Sequence, residues 1–218
     1  MSLDDDKARA LELTPVSRET LQRLEAFVAL LLEWQAKFNL IAASTLPIIW
    51  TRHVADSLQL LEHAQANIWA DYGSGAGFPG IPIACALADG RPSAHVHLIE
   101  SVGKKAHFLR EAVRALGIPA TVHQMRAENF GDSYGDKIDA VTARALAPLK
   151  TLCDQTFPLI KRGALGIFPK GQDVDAELTE AAKYWTIEAS KAPSKTSPEG
   201  SIVVIRGLHP RRSPNARK

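Results

Sequence analysis

The sequence has few cysteines, no long apolar run and an acidic start. Its two cysteines, Cys85 and Cys153, lie inside apolar helical patterns, so we expect buried thiols and neither a disulfide framework nor a zinc site. No stretch approaches the roughly 20 apolar residues of a membrane span. Residues 1–6 include three aspartates, whereas a signal peptide begins with basic residues. These absences predict a cytoplasmic protein without a membrane segment.

The chain also has little excess charge, since its formal net charge at pH 7 is +2. That value by itself does not indicate a polyanionic partner. The cations are unevenly distributed, however. Residues 209–218 carry four Arg or Lys and no acid, and one predicted helix carries Lys104, Lys105, Arg110 and Arg114. Such clusters attract phosphate groups, although a solvated helix face and a frayed terminus have the same composition.

The first third of the chain predicts helices. Thr14 and Pro15 have the pattern of an N-cap followed by proline at the first helical position, and apolar residues then recur every three or four positions as far as Phe38. A second helix is predicted over residues 48–63. We therefore expect residues 1–66 to form a helical segment that packs on the core.

From residue 68 onward, short apolar strands alternate with helices. This alternation predicts an α/β fold with a mainly parallel sheet covered on both faces. A loop rich in Pro, Ser and Lys separates the last two strands, which predicts an antiparallel C-terminal strand in a seven-stranded sheet. We expect the sheet domain to span 67–208 and a basic tail to span 209–218. The predicted strands are 68–72, 95–100, 120–124, 138–142, 164–169, 185–189 and 201–206, and the predicted helices between them are 81–88, 102–116, 149–161 and 175–184.

A glycine-rich segment follows the first predicted strand. Residues 71–80 read Asp-Tyr-Gly-Ser-Gly-Ala-Gly-Phe-Pro-Gly, and a strand-to-helix turn of this kind is where α/β sheets bind ligands. Gly75, Gly77 and Gly80 match the dinucleotide fingerprint G-x-G-x-x-G. One interpretation is therefore an oxidoreductase that binds NAD or FAD.

The other interpretation depends on Asp71, two residues before Gly73. A carboxylate beside the helix N-terminus repels a pyrophosphate, and it suits a ligand with positive groups and no phosphate. S-adenosylmethionine, with its ammonium and sulfonium groups, is such a ligand. Glu100 follows the next predicted strand, where ribose hydroxyls donate hydrogen bonds in both interpretations. Residues 126–130 occupy the loop where an adenine would lie, although an ordinary helix start has the same pattern.

Seven segments stand in a fixed order along nearly the whole chain. They are Trp34 with Asn-Leu at 39–40, Arg-His-Val-Ala-Asp-Ser-Leu at 52–58, the glycine-rich segment 71–82, Glu-Ser-Val-Gly-Lys-Lys at 100–105 with Phe-Leu-Arg at 108–110, Arg-Ala-Glu at 126–128, Asp139 with Ala-Arg-Ala-Leu-Ala at 143–147, and Lys-Gly at 170–171. In this order and spacing they resemble the family of ribosomal RNA small subunit methyltransferase G, also called glucose-inhibited division protein B.

The resemblance implies a Rossmann-like, S-adenosylmethionine-dependent methyltransferase fold and methylation of N7 of one guanine in 16S ribosomal RNA. The partner would be 16S RNA or an assembly intermediate of the small ribosomal subunit, and we expect a monomer that needs no metal. Guanine N7 carries a lone pair and no proton, so no general base is predicted and no catalytic residue is assigned. The implied cofactor contacts are Gly73, Phe78, Ala127, Glu128 and Arg144, with Glu100 as ribose partner and Asp71 and Gly75 as further contacts from the loop.

Four residues are expected to face RNA: Arg52, His53, Lys104 and Lys170. Arg52 could instead form an ion pair with Asp56 four residues on, and a histidine on an amphipathic helix is often structural. Lys104 at a helix start opposes the macrodipole, which indicates a use other than stability. Lys170 follows the fifth strand, at the ligand-binding edge of the sheet.

Overall fold

The structure, a computed structural model, describes residues 2–134 and 137–211. These residues form a seven-stranded sheet with the order β3-β2-β1-β4-β5-β7-β6. Adjacent strands from β3 to β5 pair in parallel, while β7 runs antiparallel to both β5 and β6. The predicted α/β class and the antiparallel C-terminal strand are therefore confirmed. The strands are β1 Ile68–Tyr72, β2 His95–Ile99, β3 Ala120–His123, β4 Ala140–Ala143, β5 Leu165–Lys170, β6 Trp185–Pro193 and β7 Ser201–Pro210.

Helices precede the sheet and alternate with its parallel strands. None of those in the described ranges is long and apolar enough to cross a membrane. The α-helices are α1 Leu3–Leu13, α2 Arg18–Gln35, α3 Asp56–Leu58, α4 Gly80–Leu87, α5 Gly103–Leu116, α6 Ala127–Ser133, α7 Leu149–Ile160 and α8 Val174–Ala181.

The predicted start of the first helix is wrong. Thr14 ends α1, where its hydroxyl donates to the carbonyl of Ala10 at 3.0 Å, and α2 begins only after Ser17, whose hydroxyl accepts from the amide of Thr20. Helix α1 was not predicted, although Ser2 and Asp5 form a reciprocal capping box at its start. This capping box supplies hydrogen-bond acceptors to two backbone amides that would otherwise be unpaired at the helix N-terminus.

The helix predicted over 48–63 is a helical run of changing pitch. It passes from a 3₁₀ turn at Ala43–Ile48 through a π-helical segment at Trp50–Ala55 into α3 and a last 3₁₀ turn at Gln59–His63. The carboxylate of Asp6, which is fully buried, accepts from the amide of Trp50 at 2.8 Å. Asp6 of α1 thus accepts a hydrogen bond from a backbone amide of this segment, and the regular α-helical hydrogen bonding is interrupted there.

The N-terminal helices and one face of the sheet share a single hydrophobic cluster. Phe27 of α2 lies with its ring centroid 5.2 Å from that of Phe78, and Trp34 lies 5.4 Å from Phe108 of α5. A second cluster, centred on α7, covers the other face. The two thiols, Cys85 and Cys153, are free and buried, as expected.

The C-terminal hairpin is longer than predicted. Strand β6 continues to residue 193 and β7 to residue 210, because the two pair with each other along their full lengths. Strand β7 therefore enters the segment predicted as a basic tail, and residues 212–218 of that tail lie outside the described residues. The division at residues 66 and 208 stays a prediction.

Candidate functional site

The glycine-rich segment forms the turn between β1 and α4. The amides of Gly73 and Ser74 donate to the carbonyl of Ile99 at the end of β2, at 2.9 and 3.0 Å. Gly73 has a φ of +69°, and a Cβ there would lie 2.7 Å from a methyl group of Leu146. Glycine is needed at this position both for the backbone conformation and for the close approach of the loop after β4.

Asp71 lies beneath this turn with no exposed surface. One carboxylate oxygen accepts from the amide of Gly80 at 3.0 Å, at the start of α4. The other oxygen has no hydrogen-bond partner among the described residues. Burial raises the pKa of Asp71 to about 7, because removal from water disfavours the charged form.

Glu100, which follows β2, holds the same turn from the side. Its Oε2 accepts from the amide of Gly75 at 2.9 Å, and its Oε1 accepts from the amide of Val102 at 2.7 Å. Each oxygen of a carboxylate can accept a second hydrogen bond. Glu100 can therefore hold the loop and still receive hydroxyl donors from a ligand.

A cavity of about 290 Å³ opens between these elements. We call it the glycine-loop cavity. It lies at the carboxyl ends of β1, β2 and β4, where open α/β sheets bind ligands. Its walls are Gly73, Gly75, Ile99, Glu100, Ser101, Val102, Lys105, Met125, Ala127, Arg144, Ala145 and Leu146.

A second cavity, of about 200 Å³, adjoins the first. We call it the basic cavity. The two cavities share Arg144 and Ala145, and Ala145 has a φ of +52°, the only positive φ of a non-glycine residue in the described ranges. The backbone therefore bends sharply at the wall between them. The basic cavity is lined by Arg52, Asp56, Arg144, Ala145, Pro169, Lys170, Gly171, Glu177, Ser194, Ser197, Gly200, Ser201 and Ile202.

Arg144 is held on several sides. Its Nη2 donates to Nδ1 of His53 at 2.7 Å, its Nη1 donates to the carbonyl of Arg52 at 3.2 Å, and Nη1 lies 3.5 Å from Oδ2 of Asp56. The guanidinium carbon lies 5.3 Å from the ring centroid of Phe78, within range of a cation–π interaction. The orientation of Arg144 is thus set by the N-terminal helical run and the glycine loop together.

His53 is buried and neutral. Because an arginine only donates hydrogen bonds, Nδ1 of His53 carries no proton, and Nε2–H donates to the hydroxyl of Thr45 at 2.8 Å. Burial, with Arg144 and Arg52 beside the ring, lowers the pKa of His53 to about 3.

Asp56 is a site residue whose role was not predicted from the sequence, beyond an ion pair with Arg52. That pair exists at 3.8 Å, but the carboxylate is buried and also faces Arg144 and the hydroxyl of Thr196. The segment 194–200 was predicted only as a loop. Its position between the end of β6 and the start of β7, beside the end of β5, was the signal that could have placed it at the ligand-binding edge.

The other predicted residues divide into two groups. Gly73, Gly75, Glu100, Ala127 and Arg144 line the glycine-loop cavity, as the implied cofactor contacts should. Phe78, Asp71 and Glu128 do not line it. Phe78 packs against His53, with ring centroids 4.9 Å apart, and the carboxylate of Glu128 accepts from Gln155 at 2.7 Å.

The four predicted RNA contacts are likewise spread over more than one place. Arg52 and Lys170 line the basic cavity, where Lys170 forms an ion pair with Glu177 at 2.6 Å. Lys104 lies outside both cavities and stands 5.7 Å from the ring centroid of Phe38. His53 is enclosed behind Arg144.

Comparisons with known proteins agree on one family. The family model of rRNA small subunit methyltransferase G (GidB) matches residues 20–211. A ribosomal RNA small subunit methyltransferase G from Bradyrhizobium sp. strain ORS 278 is 58% identical over 204 residues, 93% of this chain and 91% of the relative. One from Bradyrhizobium sp. strain BTAi1 is 59% identical over 201 residues, 92% of this chain and 90% of the relative.

Solved structures support the fold. The O-methyltransferase from Bacillus cereus, in complex with SAH, superposes with a TM-score of 0.56 at 14% identity, over 83% of this chain and 90% of that one. This likeness concerns the fold alone. The sequence relatives and the family model carry the assignment, and this chain belongs to the rRNA small subunit methyltransferase G family.

Proposed function

We propose that this protein transfers the methyl group of S-adenosylmethionine to N7 of one guanine in 16S ribosomal RNA. The observation that carries the proposal is the pair of adjoining cavities. One is formed by the glycine loop and the acid after β2, the other is lined by three cations and two acids, and they share Arg144 and Ala145. Adjoining cavities can bring a methyl donor and an acceptor together where they meet, as a direct transfer requires.

The residues of the glycine-loop cavity fit S-adenosylmethionine. Glu100 has acceptor capacity left for ribose hydroxyls, and Ala127 lies where an adenine would pack. The orphaned oxygen of Asp71 lies directly beneath the loop. Asp71 does not line the cavity, so its carboxylate would attract a positive amino group near the turn through space and not by direct contact. When bound, this cofactor supplies an electrophilic methyl group.

The alternative of a dinucleotide-binding oxidoreductase is not supported. In that class a pyrophosphate occupies the N-terminus of the helix after the glycine loop. Here the amide of Gly80, at the start of α4, donates to the carboxylate of Asp71. The carboxyl group of Asp71 already takes the amide that a pyrophosphate needs, and the family assignment points to a methyltransferase.

Methyl transfer to N7 requires that donor and acceptor be positioned, and it does not require a proton transfer. N7 attacks with an in-plane lone pair, so the attacking step releases no proton and needs no base. The neutral state of His53 suits a structural partner of Arg144. Asp56 offsets the positive charge of Arg144 beside a cavity that receives a cationic ligand, which lowers the electrostatic cost of bringing the two cations together.

The basic cavity is the proposed acceptor side. Arg52, Arg144 and Lys170 supply cations for a phosphate, and Ser194 and Ser197 supply hydroxyls for the edge of a base. In A-form RNA the N7 edge faces a deep, narrow groove that side chains cannot enter. The target guanine must therefore be looped out or flipped into the cavity.

The remaining parts of the proposal concern the setting. The substrate is 16S RNA or an assembly intermediate of the small subunit. The protein acts as a monomer in the cytoplasm, where the subunit is assembled. Naked duplex RNA should be a poor acceptor, because its guanines stay stacked.

The direct test is methyl transfer in vitro. Purified protein is incubated with tritiated S-adenosylmethionine and small-subunit RNA from cells that lack the gene, and the modified nucleotide is located by mass spectrometry. We expect a single 7-methylguanosine in 16S RNA. Label on an exocyclic amine, on a ribose or on protein would contradict the proposal. A thermal shift with NAD but none with S-adenosylhomocysteine would revive the oxidoreductase.

A further inference from the structure

The loop between β6 and β7, residues 194–200, is fastened to the N-terminal helical run by two buried side chains. The hydroxyl of Thr196 donates to Oδ1 of Asp56 at 2.7 Å, and the amide of Lys195 donates to Oε1 of Gln59 at 2.9 Å. Gln59 in turn donates to Oδ1 of Asp56 at 2.9 Å. The loop that forms one side of the basic cavity is therefore anchored on Asp56.

The other oxygen of the same carboxylate faces the cavity wall. Oδ2 of Asp56 lies 3.5 Å from Nη1 of Arg144. Arg144 lines both cavities, whereas Thr196 lines neither. One buried carboxylate thus contacts the acceptor-side loop with one oxygen and the shared wall with the other.

We propose that Asp56 is a positioning residue that couples the 194–200 loop to Arg144, so that this loop affects the affinity of the glycine-loop cavity for its ligand. This inference rests on the proposed function of the two cavities. Asp56 is 4% exposed, so water does not replace a lost partner freely. Its position then depends on all the donors around it. Removing the hydroxyl of Thr196 leaves the orientation of Arg144 less well fixed.

Thr196 does not line the glycine-loop cavity, and its replacement should nevertheless alter ligand binding there. In Thr196→Val the shape of the side chain is kept and the hydrogen bond to Asp56 is lost. Coupling between two sites typically changes affinity by about fivefold or more, and a single hydrogen bond is expected to give the lower end of that range. We expect S-adenosylhomocysteine to bind Thr196→Val about fivefold more weakly than the wild type, in calorimetry without RNA.

Two variants test whether the effect passes through Asp56. Thr196→Ser retains a hydroxyl and should restore wild-type affinity. Asp56→Asn should weaken binding by about tenfold, because asparagine has a single acceptor oxygen and its NH2 group must face either Arg144 or the donors of Gln59 and Thr196. The double variant Asp56→Asn/Thr196→Val should bind no more weakly than Asp56→Asn alone, since a shared route makes the two effects non-additive.

The matched control is Thr121→Val. It removes the hydrogen bond between the hydroxyl of Thr121 on β3 and the ring of His95 on β2, away from both cavities. It should bind S-adenosylhomocysteine like the wild type. Melting temperatures verify that each variant is folded, and the Thr196 pair suffices if Asp56→Asn does not fold.

Wild-type affinity for Thr196→Val, or additive effects in the double variant, would overturn the coupling. Failure of the wild type itself to bind S-adenosylhomocysteine would instead contradict the proposed function. Coupling between sites is established only by such a measured interaction energy, not by the contacts alone.

Discussion

The carboxylate of Glu100 accepts a hydrogen bond from the backbone amide of Gly75 at 2.9 Å. This contact joins the end of β2 to the middle of the glycine loop. A residue expected only as a ligand contact thus also shapes the loop that receives the ligand. Replacement of Glu100 should affect both the shape of the site and its affinity.

Glu100→Ala should weaken S-adenosylhomocysteine binding by more than about tenfold, since loss of a charged acceptor costs about 1.5–3 kcal/mol per hydrogen bond. Glu100→Gln keeps one acceptor oxygen and should have an intermediate effect. Calorimetry measures both affinities. Equal affinities for Glu100→Ala and the wild type would show that the carboxylate does not contact the ligand.

The buried carboxyl of Asp71 should make stability depend on pH. Its folded-state pKa of about 7 lies above the ordinary value of 3.8, so the folded protein binds a proton that the unfolded chain releases. The contribution to the free energy of unfolding is therefore fully present below pH 4 and lost as the pH rises to about 7.

Compared with Asp71→Asn, the wild type should lose on the order of 2–4 kcal/mol of stability between pH 4 and pH 8. Urea unfolding of both proteins across this range measures the difference. A constant difference would mean that the pKa of Asp71 is not raised.

His53 should have the opposite pH dependence. Its folded-state pKa of about 3 lies below the ordinary value of 6.5, so the unfolded chain binds a proton that the folded protein excludes. The stabilising contribution of the neutral ring is present above pH 6.5 and decreases as the pH falls toward 3. The ring signal of His53 in NMR should show no titration above pH 5, and a midpoint near 6.5 would contradict the burial of the ring behind Arg144.

The start of α4 should not tolerate a methyl group. A Cβ on Gly80 would lie 2.2 Å from a methyl carbon of Leu98 and 2.7 Å from Oδ2 of Asp71. Gly80→Ala should cost about 1–3 kcal/mol of unfolding free energy, as overpacking of a core does. Gly171→Ala is the control, because nothing lies within 4 Å of a Cβ there. Equal unfolding midpoints for the two variants would refute the close packing at Gly80.

RNA affinity should fall steeply with salt. Each phosphate neutralised by a Lys or Arg releases a counterion, and the slope of log affinity against log salt counts these contacts. Lys104→Gln should reduce the slope by about one unit if Lys104 contacts a phosphate. Arg114→Gln, at an arginine paired with Glu111, is the control. A flat salt dependence of the wild type would argue against a phosphate-binding surface.

Local sequence patterns predicted the sheet well because each parallel strand is a short apolar run bounded by turns. The positions of the glycine loop and Glu100 were also predictable, because they follow from strand ends that lie side by side. The helical run at 43–63 was predicted less well. There the buried Asp6 takes backbone donors from a distant segment, and local periodicity contains no information about such a contact.

The contacts of Asp56 were beyond prediction for the same reason. Its partners Arg144 and Thr196 are 88 and 140 residues away along the chain. The four-residue spacing to Arg52 was visible, and it indicated the weaker of the contacts. Asp71 likewise showed its charge in the sequence but not its burial, which depends on how α4 packs over β1.

The hydrophobic cluster shared by the N-terminal helices and the sheet has a consequence for folding. Leu24 and Phe27 of α2 are fully buried in the same cluster as Val96 and Leu98 of β2. A fragment starting at residue 67 would expose that apolar face to water, and large exposed apolar patches promote aggregation. We therefore expect the helical segment and the sheet to unfold in a single cooperative transition, so that neither can be produced as a separate stable domain.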